Sequence, residues 1–406
     1  MLNPQVVARG LLKARNYFAH HTISSPGMAH PFEAVFEESY EVRAACRSFD
    51  LLFDGNQRKI ARAFVKRMIR WQGIHVPNMY DMGYGYDLDE HGVVNCSCVA
   101  DNACTATALL EAVRFFPDLP ERDDTLASVK RYLDTCLAEY TSETGVMGVG
   151  VLNHRVNPED MREYWCANAL FVSALVSYAE LAHAPSYYEP AVPMVEFIAT
   201  FDYTNTLWKE WQQAAPQQIL FYTSEGLVKA LSSAELMSRL DVPPAGVIRK
   251  AAVASPESDA AGQAANRRRL ELGSHVELDG RTIGSRLANR LGAFCEWLFD
   301  NQLAEGCFHH PRDPHYRCYE PGLAWILLDA ASDVKGFAWT REIAVRQLRF
   351  LSTDAGKLYH GLYANDFATA LSHLSFATAA RYLAAHEPER WQAACDEVLE
   401  RGEDMW

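Results

Sequence analysis

The sequence has no run of about 18 uninterrupted apolar residues, so no membrane span is expected. Basic charge is scarce. The chain carries 38 Lys and Arg against 52 Asp and Glu, for a formal net charge of -14. That balance argues against a nucleic-acid partner, because phosphate binding needs clustered cations. The one dense basic run, Arg267-Arg268-Arg269, reads as a solvated helix face in a surface insertion. The ten Cys are scattered and do not form a disulfide framework, which predicts reduced thiols. Met1 to Tyr17 is amphipathic without a secretory apolar segment, so the expected location is cytoplasmic. The sequence contains no P-loop, no dinucleotide-binding glycine fingerprint and no G-x-S-x-G elbow. No D-x-D-D run occurs, Asp87-Leu88-Asp89-Glu90 being the nearest, and there is no D-D-x-x-D motif. No cofactor is implied.

What is present is a repeated junction, in which a Gly-rich, aromatic loop meets a polar capping residue and then a helix too apolar to face water. It occurs at Asp101-Asn102-Ala103, Trp165-Cys166-Ala167-Asn168, Tyr222-Thr223-Ser224-Glu225, Tyr319-Glu320-Pro321-Gly322 and Asn365-Asp366-Phe367. Each apolar helix is followed by a more amphipathic one. The expected apolar helices after the first pair run about 102–116, 163–183, 224–239, 321–332 and 366–385. Their partners are at 123–140, 187–202, 281–303, 338–352 and 387–402. The first pair spans about 30–49 and 56–71, behind a leading helix over 1–22. Asp89-Glu90-His91-Gly92 reads as a β-turn between short strands.

About six hairpins of this kind predict an inner ring that is apolar all round and an outer ring that is amphipathic. One all-α domain over 1–406 is expected, with 242–280 as a mobile insertion. The long loops all lead from outer to inner helices, which places the pocket on that face.

This pattern resembles the six-hairpin (α/α)6-toroid proteins, which include glycoside hydrolases, sugar epimerases and polysaccharide lyases. More distantly it is similar to the terpenoid-cyclase and prenyltransferase toroids. Trp297-Leu298-Phe299-Asp300-Asn301-Gln302 followed by Glu305-Gly306-Cys307-Phe308 looks like a helix-end turn common in such toroids. A fold of this type hosts many chemistries.

Four carboxylates stand at expected inner-helix starts: Asp101, Glu225, Glu320 and Asp366. A protonated and an ionised carboxyl group are the minimum set for glycosidic chemistry, and ordinary helix capping is the alternative reading. Asp101 and Glu225 are expected to form the principal pair. Tyr84, Tyr86, Asn102, Trp165, Asn168, Tyr222 and Tyr319 are expected to position substrate, with His309 and His360 assisting proton transfer. Aromatic packing between hairpins is the competing reading of the rings. Cys307, His309, His310, His315 and Cys318 match no zinc-module spacing, and no metal is expected. The resemblance to prenyltransferase β-subunits points at Cys318, but the preceding aspartate of that family's pair is missing. Cys96, Cys98, Cys104 and Cys166 read as inert packing, and Asp81, Asp87, Asp89 and Glu90 as a solvated turn.

The leading functional reading is a carbohydrate-active enzyme (hydrolase, lyase or epimerase) acting on a small-molecule or oligosaccharide substrate. An isoprenoid-type toroid enzyme with an aromatic-lined pocket is the alternative, and a non-enzymatic scaffold for a protein partner a second. The oligomeric state is open.

Overall fold

The computed structural model describes residues 1–18, 35–52, 56–74, 76–80, 87–89, 92–94, 99–147, 161–200, 214–240, 282–309, 318–356 and 366–401. The chain begins with α1 (Pro4–Phe18), α2 (Val35–Ser48) and α3 (Asn56–Trp71). A two-stranded antiparallel hairpin follows, β1 (Asp87–Asp89) and β2 (Gly92–Val94), with Asp89 opposite Gly92. Next come α4 (Val99–Phe115), α5 (Arg122–Glu139), α6 (Met161–Leu181), α7 (Ala191–Thr200), α8 (Ala214–Ser232) and the short α9 (Ala234–Arg239). The last third holds α10 (Ile283–Asn301), α11 (Leu323–Asp333), α12 (Arg341–Leu351), α13 (Asp366–His386) and α14 (Pro388–Glu400).

Six of these helices close a ring among the described residues. α2 packs on α4, α4 on α6, α6 on α8, α8 on α11, α11 on α13, and α13 returns to α2. The remaining long helices lie outside them, and α1 covers α13 and α14. Composition explains the sorting. α4 buries nearly every position from Val99 to Val113, and its polar residues are mostly small enough to sit between helices. α13 is buried the same way, with Thr369, Ser372, Ser375 and Thr378 among its alanines and leucines. By contrast, α3 carries Arg58, Lys59, Arg62 and Lys66 around one apolar stripe. Close approach within the ring is built in. A Cβ on Gly226 of α8 would lie 2.2 Å from the Ala169 carbonyl oxygen of α6, so only glycine fits there.

The turn expected after residue 297 is explained by Gln302. Its Nε2 donates to the Gly306 carbonyl at 2.8 Å and to the Ile343 carbonyl of α12 at 2.9 Å, tying two outer helices together. Gly306 has φ +105°, which favours glycine. One boundary differs from expectation. A single helix over 224–239 is replaced by α8, which begins at Ala214, and α9, which Ser233 caps by accepting from the Leu236 amide. Thr223 and Ser224 look like a cap in sequence, yet both are buried inside the ring wall. The segment 242–280 lies outside the described residues.

Between α2 and α13 sits a buried acid–base pair. Glu41 Oε2 and His373 Nδ1 are 2.7 Å apart, with Arg15 of α1 nearby. Burial pushes the Glu41 carboxyl well above its ordinary 4.5, against the pull of Arg15. Burial, with Arg15 adding to it, pulls the His373 imidazole from 6.5 to about 3. The folded pair therefore holds one proton across the neutral range. Unfolded, it also holds one between pH 4.5 and 6.5, so stability is flat there. Above 6.5 the unfolded chain releases that proton and the folded chain keeps it, so stability falls as pH rises, by up to about 1.4 kcal/mol per pH unit. Below 4.5 the unfolded chain takes a second proton that the folded chain refuses until about 3, and stability falls again. Urea titrations should show lower stability at about pH 8 than at about pH 5.5, and Glu41→Gln should remove the alkaline loss. Equal alkaline losses in both proteins would contradict this assignment.

Candidate functional site

Three of the four candidate carboxylates stand where inner helices begin. Asp101 is in the first turn of α4, and Asp366 is the first residue of α13. Glu320 opens the 3-10 turn Glu320–Gly322 that runs into α11. Glu225 is placed differently: because α8 starts at Ala214, it lies in the helix body, deeper in the bore. Burial first, then Glu225 and, further down, Asp101 push the Cys104 thiol well above its usual range. The thiol stays protonated and unreactive, in line with its reading as packing.

Each carboxylate has a defined neighbour. Glu320 is buried and holds His309, accepting from its backbone amide at 3.2 Å and contacting its Nδ1 at 2.6 Å. A carboxylate fixing one imidazole nitrogen orients the other for proton transfer. Asp366 accepts from the Tyr17 hydroxyl, supplied by the end of α1. Burial and this contact raise the Tyr17 hydroxyl, so it stays a donor. Glu225 accepts from Tyr40 at 2.9 Å on one oxygen and from Arg43 Nη1 at 2.5 Å on the other.

Arg43 belongs to a larger network at the C-terminal half of the ring. Its Nε reaches Glu111 at 3.0 Å, and Arg47 also contacts Glu111, at 3.4 Å. Arg47 Nη1 lies 2.9 Å from both oxygens of Asp329, whose Oδ2 accepts from Trp325 Nε1 at 2.6 Å. Burial pulls the Arg43 guanidinium down, but Glu225 and Glu111 outweigh it and keep the charge in place. Burial likewise pushes Glu111 up, and Arg43 and Arg47 together hold it below its ordinary value. An aromatic cluster adjoins this network. Tyr40 packs edge-on to Trp325 at 5.9 Å and against Phe367 at 5.6 Å, and Phe221 stacks on Tyr319 at 5.6 Å.

The residues expected to position substrate divide. The Asn102 side-chain oxygen accepts from the Tyr80 amide at 2.6 Å. Asn168 accepts from the Met147 amide at 2.9 Å and donates to its carbonyl at 3.2 Å. Both asparagines thus pin an incoming loop onto an inner helix, one on α4 and one on α6. Tyr222 and Tyr319 are buried beside Phe221. Tyr84, Tyr86, His360 and the Trp165 side chain lie outside the described residues, as do Cys96, Cys98, His310 and His315. Among the described residues no His, Cys, Asp and Glu cluster could hold a metal ion. No described helix is long and apolar enough to cross a membrane.

Sequence reading did not find Tyr17, Tyr40, Arg43, Arg47, Glu111 or Asp329. The basic groups stand alone in helix sequence, and only the ring brings them to the acids. A repeated signal did exist in the pair Arg43 and Arg47, four residues apart on an otherwise buried helix.

No family model matches the sequence, and neither does any curated protein. Solved structures do match. An unsaturated glucuronyl hydrolase specific for heparin aligns with TM-score 0.55 at 13% identity, over 95% of this chain and 97% of that one. A polysaccharide lyase aligns with TM-score 0.53 at 11% identity, over 93% and 97%. The likeness spans nearly the whole of each chain, and the fold is that of the (α/α)-toroid proteins.

Proposed function

We propose that the protein is a cytoplasmic, single-domain carbohydrate-active enzyme that works by acid–base chemistry at the helix-start mouth of the ring. One observation carries this reading. Asp101, Glu320 and Asp366 occupy the starts of three inner helices, with Glu225 in the bore beneath. The names of the two similar structures, a glucuronyl hydrolase and a polysaccharide lyase, support a sugar substrate.

In this scheme Asp101 is the group that exchanges a proton with the sugar oxygen. Glu225, ion-paired with Arg43, is the fixed anion that faces the positive charge developing on the sugar ring. His309, oriented by Glu320, is the base for a lyase or epimerase step, where a proton leaves carbon. Asp366, fixed by Tyr17, is the next candidate acid. The isoprenoid alternative asks for an open aromatic pocket. Tyr40, Phe221 and Trp325 instead pack on one another with almost no exposed surface, which favours the sugar reading.

Incubation with saturated and unsaturated uronides and with neutral oligosaccharides, read by mass spectrometry, tests the class. Addition of water marks hydrolysis, an unsaturated product marks elimination, and unchanged mass with altered retention marks epimerisation. Binding of prenyl diphosphates with no change in any sugar would overturn the proposal.

A further inference from the structure

The C-terminal half of the ring encloses a chamber of about 480 Å³, within the roughly 300–1,000 Å³ of small-molecule sites. Its walls come from the C-terminal halves of α2, α4, α6 and α8 and from α11 between Trp325 and Asp333, so it lies toward the other end of the ring from Asp101, Glu320 and Asp366. Two features of the walls point to a ligand.

The first is a set of hydroxyls with nothing to bind. Thr107 of α4 and Ser173 of α6 line the chamber at 4% and 3% exposure, and neither makes a hydrogen bond within the protein. Ser177, one turn beyond Ser173, is half-buried and also makes none. Their hydroxyl oxygens are not sealed off but open into the chamber, where each is available to a ligand.

The second feature is charge. The chamber is lined by five carboxylates, Glu111, Glu180, Glu225, Asp329 and Asp333. Four basic groups answer them: Arg43, Arg47, Arg114 and Lys229. Lys229 pairs with Glu180, while the two deep arginines serve three acids, Glu111, Glu225 and Asp329. One negative charge is left over in the deep wall. The carbonyl ends of α4, α6, α8 and α11 add partial negative charge on the same side. Arg43 has donors beyond those on Glu111 and Glu225, so a ligand that also carries hydroxyl oxygens suits the site.

We propose that this chamber is a second binding site, distinct from the helix-start mouth and bordering it at Glu225, for a small hydroxylated amine of amino-sugar size. Its ammonium sits by Glu111 and Asp329, and its hydroxyls meet Thr107, Ser173 and Ser177.

Calorimetric titration with glucosamine, glucose and glucuronate tests this, because the three share a hydroxylated ring and differ in charge. Glucosamine should bind, with glucose about tenfold weaker or worse and glucuronate weakest. Combining Thr107→Val with Ser173→Ala leaves every ion pair in place and should weaken glucosamine about tenfold, with an unchanged circular dichroism spectrum. Asp101→Asn, at the other end of the ring, should leave glucosamine affinity unchanged. No glucosamine binding, or tighter glucuronate binding, would overturn the proposal. So would glucosamine binding that Asp101→Asn abolishes and the hydroxyl variant spares.

Discussion

Asp101→Asn lowers turnover on the order of 10³-fold while the melting temperature stays that of the parent. Asparagine keeps the size of the side chain and removes its capacity to carry a proton through the reaction. Asp101 is only half-buried at the start of α4, and asparagine retains a hydrogen-bonding side chain there. Glu225→Gln gives a different signature. Glu225 is buried and receives both Arg43 and Tyr40, so that variant loses stability as well as rate. Steady-state kinetics with parallel thermal melts separate the two residues. A variant at Asp101 that turns over at the parental rate removes it from the mechanism.

Arg43→Met destabilises the protein by about 3–5 kcal/mol, the largest stability effect expected for a single change. Arg43 and Glu225 are both almost fully buried, and Glu111 is nearly so. Removing the guanidinium leaves two carboxylates facing each other in low dielectric with only Arg47 to neutralise them. Methionine retains packing volume but no charge, and it also abandons the contact with the Trp325 ring, 4.6 Å from the guanidinium carbon. Adding Glu225→Gln to Arg43→Met recovers part of the loss, because one stranded charge goes with it. Urea unfolding at neutral pH measures both. A loss under about 1 kcal/mol would mean that the network does not brace the ring.

The ring was legible because burial on all sides leaves a compositional mark. The alanine-, serine- and threonine-rich runs of α4 and α13 cannot be amphipathic, and their alternation with Arg- and Lys-striped helices such as α3 gives the two layers. Asp101 and Asp366 were legible for a related reason, since acids in a first turn mark where an apolar helix starts. Glu225 was misplaced along its helix because Tyr222-Thr223-Ser224 has capping chemistry, and tertiary burial overrode that preference. Asn102 and Asn168 were read as facing substrate. Their pinning of the loops at Tyr80 and Met147 depends on backbone groups that no side-chain pattern encodes. The pairing of Arg43 and Arg47 with acids from α4, α8 and α11, and of Tyr17 with Asp366, joins residues tens to hundreds of positions apart. Only closure of the ring creates those contacts.

The account rests on sugar being handled at the mouth formed by the starts of α4, α11 and α13. A crystal structure of the Asp101→Asn protein soaked with an oligosaccharide that the parent converts tests this most directly. The account predicts uncleaved sugar lodged between residue 101, the His309–Glu320 pair and Asp366. Sugar bound elsewhere on the protein, with that mouth holding only solvent, would contradict it.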